Sequence, residues 1–296
     1  MSEAPAGDTM KNTTGEIVLG QNNYGKSEVR LFKVRRDAEV HEVWDLDARV
    51  TLEGDFDAAH YRGDNSKLLA TDTMRNTVYA LAKDRLTGSI ENFGLALVDY
   101  FLEAGPTVTT CYVEITQFRW RRIAVDGRPH EHSFVRERGE RKAKVWGDET
   151  GARHVEAGID DVYVLKTTNS GWEGFYRDRF TTLPDTDDRV LATIVTAKWE
   201  YRATDLDFDR LWEGVMESTL RTFTDHYSPS VQNTLYRMGR AVLEEFGEIE
   251  RIWYSFPNVH HIVYDLKRFG IENDNEILHA TQDPYGQIEG WVERRP

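Results

Sequence analysis

The stretch Ile252-Trp253-Tyr254-Ser255-Phe256-Pro257-Asn258-Val259-His260-His261-Ile262-Val263-Tyr264-Asp265-Leu266 sets a proline between an aromatic, strand-like run and a branched-apolar one. Proline fixes φ and cannot donate to a sheet ladder, so one long strand must break there. On pleated backbone, residues two apart face the same way, which points Asn258 and His260 into one space. An amide that grips a small molecule beside an imidazole that moves its proton makes a candidate site, because strand irregularities often re-aim side chains for function. A polar strand end accounts for the same residues, and the rest of the chain has to decide.

Upstream of this break lie two helical segments, 208–227 and 231–246, the second carrying Leu235, Met238, Val242 and Phe246 as one apolar stripe. Strand-like runs at 161–168 and 190–201 precede them, and an extended stretch at 276–292 follows. This half reads ββααββ. The first half has the same order. Trp44, Leu46, Ala48, Val50 and Leu52 alternate on one strand face after an earlier strand at 28–34. Thr71-Asp72-Thr73 forms an N-cap cluster ahead of Met74, Val78, Leu81 and Ala82, and a second helix over 91–103 stops at Gly105-Pro106. Strands at 107–125 and 132–146 are hinged at Asp126-Gly127-Arg128-Pro129. A repeated order predicts two similar α+β units, residues 20–152 and 153–296, after a disordered or extended tail of residues 1–19. Each is an antiparallel four-stranded sheet with a helix pair on one face. The helices cannot cover both faces, so closure into a barrel on oligomerisation is expected.

Composition narrows the function. The 296 residues, 40% hydrophobic, suffice for a large core or two modest ones. A net charge of −14 argues against nucleic acid, whose binding is led by phosphate neutralisation, and an anionic substrate then needs a local cation. No apolar run suits a membrane span or secretion signal, and the end Glu293-Arg294-Arg295-Pro296 lacks a peroxisomal address, so a cytoplasmic location is expected. The single cysteine, Cys111, excludes an intrachain disulfide and sits in a strand-like run. No glycine-rich nucleotide fingerprint and no C-x-x-C is present.

The side chains left for chemistry are few. His130-Glu131-His132 offers two metal ligands on one strand face, or a solvated hairpin tip. Tyr24-Gly25-Lys26 brings a lysine to the first strand. Thr71 and Asp72 at a helix start present free N–H groups and a positive dipole end. Gly171-Trp172-Glu173-Gly174-Phe175 offers an aromatic for the core or for stacking, and Arg189 is an ion-pair partner or a planar fork that reads a carbonyl beside a ring nitrogen. Gln232, after Val231, carries a donor and an acceptor on one amide, the pattern that matches an N–H beside a C=O in a purine or pterin. Combined with Asn258 and His260, these make a purine site without a metal.

The chain resembles the urate oxidase (uricase) family of the tunnelling-fold group from about Gly20 to Gly290. The resemblance rests on Tyr24-Gly25-Lys26, Leu69-Ala70-Thr71-Asp72-Thr73, Lys166-Thr167-Thr168-Asn169-Ser170, Asp188-Arg189-Val190-Leu191, Ser230-Val231-Gln232 and Phe256-Pro257-Asn258-Val259-His260. It implies two tandem tunnelling-fold units, a homotetramer with sites between subunits, and cofactor-free oxidation of urate by dioxygen and water to 5-hydroxyisourate and hydrogen peroxide. Lys26, Thr71 and His260 then match the catalytic relay. Arg189 and Gln232 match the purine clamp, with the Val231 backbone touching substrate, Asp72 offering its N–H, and Asn258 holding dioxygen or water. Trp172 stands where the family usually has phenylalanine, and Val259 where a lysine is frequent, so Val259 is expected to face away from substrate. The alternatives are a zinc-dependent tunnelling-fold pterin synthase or cyclohydrolase, with His130 and His132 as ligands, and a non-catalytic urate-binding relative.

Overall fold

The structure, a computed structural model, describes residues 17–281 and 283–295; of the tail expected over residues 1–19, residues 1–16 lie outside the described residues. The first half runs β1 (Tyr24–Arg35), β2 (Glu42–Gly54), α1 (Asp57–Arg62), α2 (Thr71–Arg85), α3 (Ile90–Ala104), β3 (Val108–Val125) and β4 (Arg128–Asp148). The second runs β5 (Arg153–Lys166), β6 (Leu191–Tyr201), α4 (Phe208–Thr224), α5 (Val231–Glu245), β7 (Ile249–Pro257), β8 (His260–Val263), β9 (Leu278–Thr281) and β10 (Gln287–Glu293). The two four-stranded sheets are one antiparallel sheet in the order β1-β2-β3-β4-β5-β6-β7-β10, because β4 pairs directly with β5 from Glu140↔Asp160 to Gly147↔Arg153.

Alternation decides which face meets the helices. Leu46, Ala48, Val50 and Leu52 of β2, with Val113, Val145, Val155 and Trp199 on its neighbours, are buried in one cluster with Phe93 and Phe101 of α3 and Met238 and Val242 of α5. Each large apolar side chain so buried contributes about 1.5–3 kcal/mol. Helix α3 approaches the sheet tightly at Gly94, where a Cβ would lie 2.7 Å from Val145 Cγ2. The interleaved residues form the opposite face and line a hollow of about 390 Å³, in which Lys142 meets Asp160 at 3.7 Å and Lys198 meets Glu156 at 3.9 Å. Those charges are already paired within the chain.

An ion cluster ties the halves together. Arg141 of β4 donates to Glu91 of α3 at 2.7 Å and to Asp209 of α4 at 2.6 Å, with Glu91 fully buried. Its guanidinium also stacks on Trp212, whose indole N–H donates to the Gly158 carbonyl at 2.9 Å. No helix among the described residues is long and apolar enough to cross a membrane.

Two local expectations need correction. The run 259–266 does not extend the main sheet: only His260–Val263 is a strand, and it turns away to pair with β9, while β10 takes the place beside β7. Pro257 supplies no N–H, and Ile262 and Val263 stay 57% and 50% exposed, so their apolarity serves a surface hairpin. Thr71 is the first helical residue of α2 rather than its cap; that position falls to Ala70, which has no side chain to accept an N–H.

Candidate active site

The break at Pro257 puts the candidate side chains Asn258 and His260 at the N-terminal end of β6. The Pro257 carbonyl accepts from Thr193 Oγ1 at 2.9 Å, Asn258 bridges Thr193, and the Val259 N–H donates to the Ala192 carbonyl at 2.9 Å. Val259 is thereby buried, away from the pocket, while Asn258 and His260 face the same space with Nδ2 and Nδ1 3.4 Å apart. Both line a pocket of about 620 Å³ with Trp172, Arg189, Thr186, Ile262 and Leu278.

Backbone bonds fix Arg189 and Trp172 at this pocket and tie it to the start of α5, although Val231 and Gln232 do not themselves line it. The Arg189 N–H donates to the Ser170 carbonyl at 2.8 Å, Gly171 N–H to Ser228 carbonyl at 2.9 Å, and Ser228 N–H to Asn169 carbonyl at 2.8 Å. Segment 169–171 is therefore held between Arg189 and the run that leads through Ser230 into α5. Trp172 is pinned by a two-bond bridge to Thr186 and stacks on Phe175 with ring centroids 5.6 Å apart and planes 12° from parallel. Gly171 is required by close approach: a Cβ there would sit 2.1 Å from Tyr227 Oη, which donates to the Asp187 carbonyl. At α5, the Ser230 hydroxyl accepts from the Asn233 N–H at 3.1 Å, Val231 is buried and Gln232 is exposed beside it.

Arg189 has no carboxylate within ion-pairing distance among the described residues, and its Nε is buried without a partner. Burial pulls its pKa below the usual guanidinium range. A half-buried cation without a counter-ion, beside a flat indole and an amide–imidazole pair, is complementary to a planar anion.

Lys26, Thr71 and Asp72 are elsewhere. Lys26 pairs with Val50, and the row continues through Val113 and Val145 to Val155, next to the C-terminal end of β6. The pocket lies beside Thr193, the bridge partner of Asn258, about five strand spacings across and about seven residues along, so the two places are diagonally opposed, roughly 33 Å apart along the sheet. At the Lys26 corner the Leu69 N–H donates to Tyr24 Oη at 2.9 Å, bringing the start of α2 beside β1. Helices α3, α4 and α5 are capped by Ser89, Asp207 and Ser230, whereas α2 has no side-chain cap. The Asp72 carboxylate is drawn aside to Arg75 at 2.6 Å and Asn76 at 3.0 Å.

His130 and His132 stand on the β4 arm with ring centroids 4.5 Å apart and His41 nearby, yet no three His, Cys, Asp or Glu among the described residues are arranged to hold a metal. The pocket also takes Thr186, Leu278 and Thr281, which sequence reasoning did not single out; the exposed apolar run Ile262-Val263 was the available signal for a hairpin wall.

The chain matches the family model described as uricase over residues 22–144 and 155–289. A uricase of Arthrobacter globiformis is 44% identical over 287 residues, 97% of this chain and 93% of that protein. A uricase of Dictyostelium discoideum is 39% identical over 279 residues, covering 93% and 97%. The crystal structure of the Arthrobacter globiformis uricase superimposes with a TM-score of 0.90 at 43% identity, over 95% of this chain and 96% of that one. That of Bacillus sp. TB-90 urate oxidase, at 21% identity, covers 92% and 100% with a TM-score of 0.80 and shares the fold. With the family model spanning most of the residues and close relatives matching nearly end to end, the chain belongs to the uricase family.

Proposed function

We propose that this protein oxidises urate with dioxygen and water to 5-hydroxyisourate and hydrogen peroxide, without a cofactor, at a site completed by a second copy. Family membership and the uricase-named relatives support urate oxidation as its activity. The observation that carries the site is Arg189, a half-buried guanidinium without a counter-ion in a pocket walled by Trp172, Asn258 and His260. Urate is a planar monoanion near neutral pH. In this reading its carbonyl and ring nitrogen meet the Arg189 fork and the Gln232 amide, the Val231 backbone touches its edge, and Trp172 stacks on its face. Lys26, Thr71 and His260 relay protons, so that loss of a further proton makes the ring electron-rich enough to reduce dioxygen near Asn258. The free N–H groups at Thr71 and Asp72 stabilise the developing dianion. Urate loses two electrons and oxygen gains two; water adds to the ring as peroxide departs.

The sheet supports the shared site. Lys26 and Thr71 lie at one corner and the clamp at the diagonal one, so a two-fold axis brings the relay corner of one copy to the clamp corner of the other. A homotetramer built on such pairs, its sheets closing as a barrel, a division into units 20–152 and 153–296, and a cytoplasmic location belong to the same proposal. Nothing favours the zinc-dependent pterin enzyme, and the presence of Lys26, Thr71 and His260 in the sequence argues against a non-catalytic relative.

The test is urate loss by absorbance, with oxygen uptake and peroxide release, on chelator-treated protein. Full activity is expected. Activity that returns only with zinc, or no oxygen uptake with urate, overturns the reading.

A further inference from the structure

A buried polar chain lies directly beneath the first turn of α5. His226 Nδ1 is 2.7 Å from the Thr222 carbonyl, which only accepts, so that nitrogen carries the proton. In the neutral imidazole Nε2 therefore accepts, and Thr234 Oγ1, 2.9 Å away, donates to it. Thr234 Oγ1, its own proton so used, accepts from the Ser228 hydroxyl at 2.6 Å. Ser228 Oγ has a second acceptor, the Ser230 carbonyl, at 3.1 Å. Ser228 and Thr234 are almost wholly buried, so these bonds have no water to replace them.

Position gives this chain its significance. Ser228 exchanges backbone bonds with Asn169 and Gly171, next to the carbonyl that holds the Arg189 N–H. Ser230 caps α5, immediately before Val231 and Gln232. Lys166 anchors the far end by donating to the His226 carbonyl at 2.8 Å and the Phe223 carbonyl at 3.2 Å. We infer that His226, acting through Thr234 and Ser228, is a positioning residue for the purine clamp, setting where Val231, Gln232 and Arg189 present themselves to urate. This rests on the urate reading above and adds residues that do not touch substrate. Protonating His226 reverses the chain: Nε2 donates to Thr234, Thr234 to Ser228, and Ser228 to the Ser230 carbonyl. The charged groups around the imidazole are Lys166, Arg237 and Asp225.

The test combines steady-state kinetics with urate binding under nitrogen, followed by tryptophan fluorescence, on wild type, Thr234→Val, Thr234→Ser and His226→Gln, each checked for folding by thermal melting. Loss of one such hydrogen bond predicts that KM and anaerobic Kd rise about three- to tenfold in Thr234→Val and His226→Gln. Turnover at saturation changes by less than about twofold, because the clamp holds ground and transition states alike. Thr234→Ser keeps the hydroxyl and stays near wild type. A lowered melting temperature with unchanged KM and Kd in both Thr234→Val and His226→Gln overturns the inference, leaving a purely structural role. If Thr234→Val does not fold, His226→Gln decides alone. Wild type that neither binds nor oxidises urate overturns the functional reading itself, and this inference with it.

Discussion

Mixing two inactive variants tests the shared site directly. Thr71→Ala removes a member of the proposed relay at one corner of the sheet and Arg189→Ala a member of the proposed clamp at the other. Within one chain these corners are separated by about five strand spacings and about seven residues of rise, roughly 33 Å, too far for one urate to touch both. Each variant alone carries the same lesion at every site. Losing a hydrogen bond to a charged group costs about 1.5–3 kcal/mol, a factor of about 10 to 150 in kcat/KM, and losing a proton-transfer group costs about 10²–10⁴. When equal amounts are unfolded and refolded together, about half the pairs are mixed, and in each mixed pair one site carries both lesions and the other neither. About a quarter of all sites should then be intact. The assay is oxygen uptake at low urate for the mixture and for each variant refolded alone, with mixed oligomers verified by pulling down one tag and detecting the other. Activity near a quarter of refolded wild type is expected. Mixed oligomers with activity no higher than the mean of the two parents would show that the site is built within one chain.

Other outcomes follow from the same geometry. His260→Ala and Lys26→Ala should slow turnover far more than they weaken anaerobic urate binding, whereas Arg189→Ala should weaken binding strongly, because it contacts the ground-state anion; equal binding losses in all three contradict the assigned roles. Arg141→Met strands the fully buried Glu91 carboxylate and should destabilise by about 3–5 kcal/mol, with the double variant Glu91→Leu/Arg141→Met recovering most of the loss in chemical denaturation. A single variant within about 1 kcal/mol of wild type refutes that account. Burial holds the His226 pKa below the ordinary 6.5, so the unfolded chain binds the extra proton. The His226 contribution to stability is full above about pH 6.5 and is lost as the pH falls toward the folded pKa. Melting temperature should therefore drop more steeply from about pH 7 to pH 5 in wild type than in His226→Gln; parallel curves argue against a buried neutral imidazole.

The repeated ββααββ order, the inward faces of β2, α3 and α5, and the break at Pro257 could be read from the chain, since each follows from local periodicity or from a missing N–H. Asn258 and His260 share a pocket because a pleat makes residues two apart co-facial wherever the strand lies. Local pattern could not tell that 260–263 leaves the sheet, because an exposed hairpin and a buried strand use the same branched residues. Nor could it show that Ala70 leaves α2 uncapped while the other long helices are capped, or that Gly171 exists to admit Tyr227 Oη, for both depend on which atoms come close in space. The continuous eight-stranded ladder is likewise tertiary: pairing of β4 with β5 fixes the register of one half on the other, and so sets Lys26 and Thr71 at the corner diagonal to Arg189. Sequence named the candidate residues of the proposed site because chemistry resides in side-chain type, but their separation within one chain is a sum of strand spacings that only the assembled sheet determines.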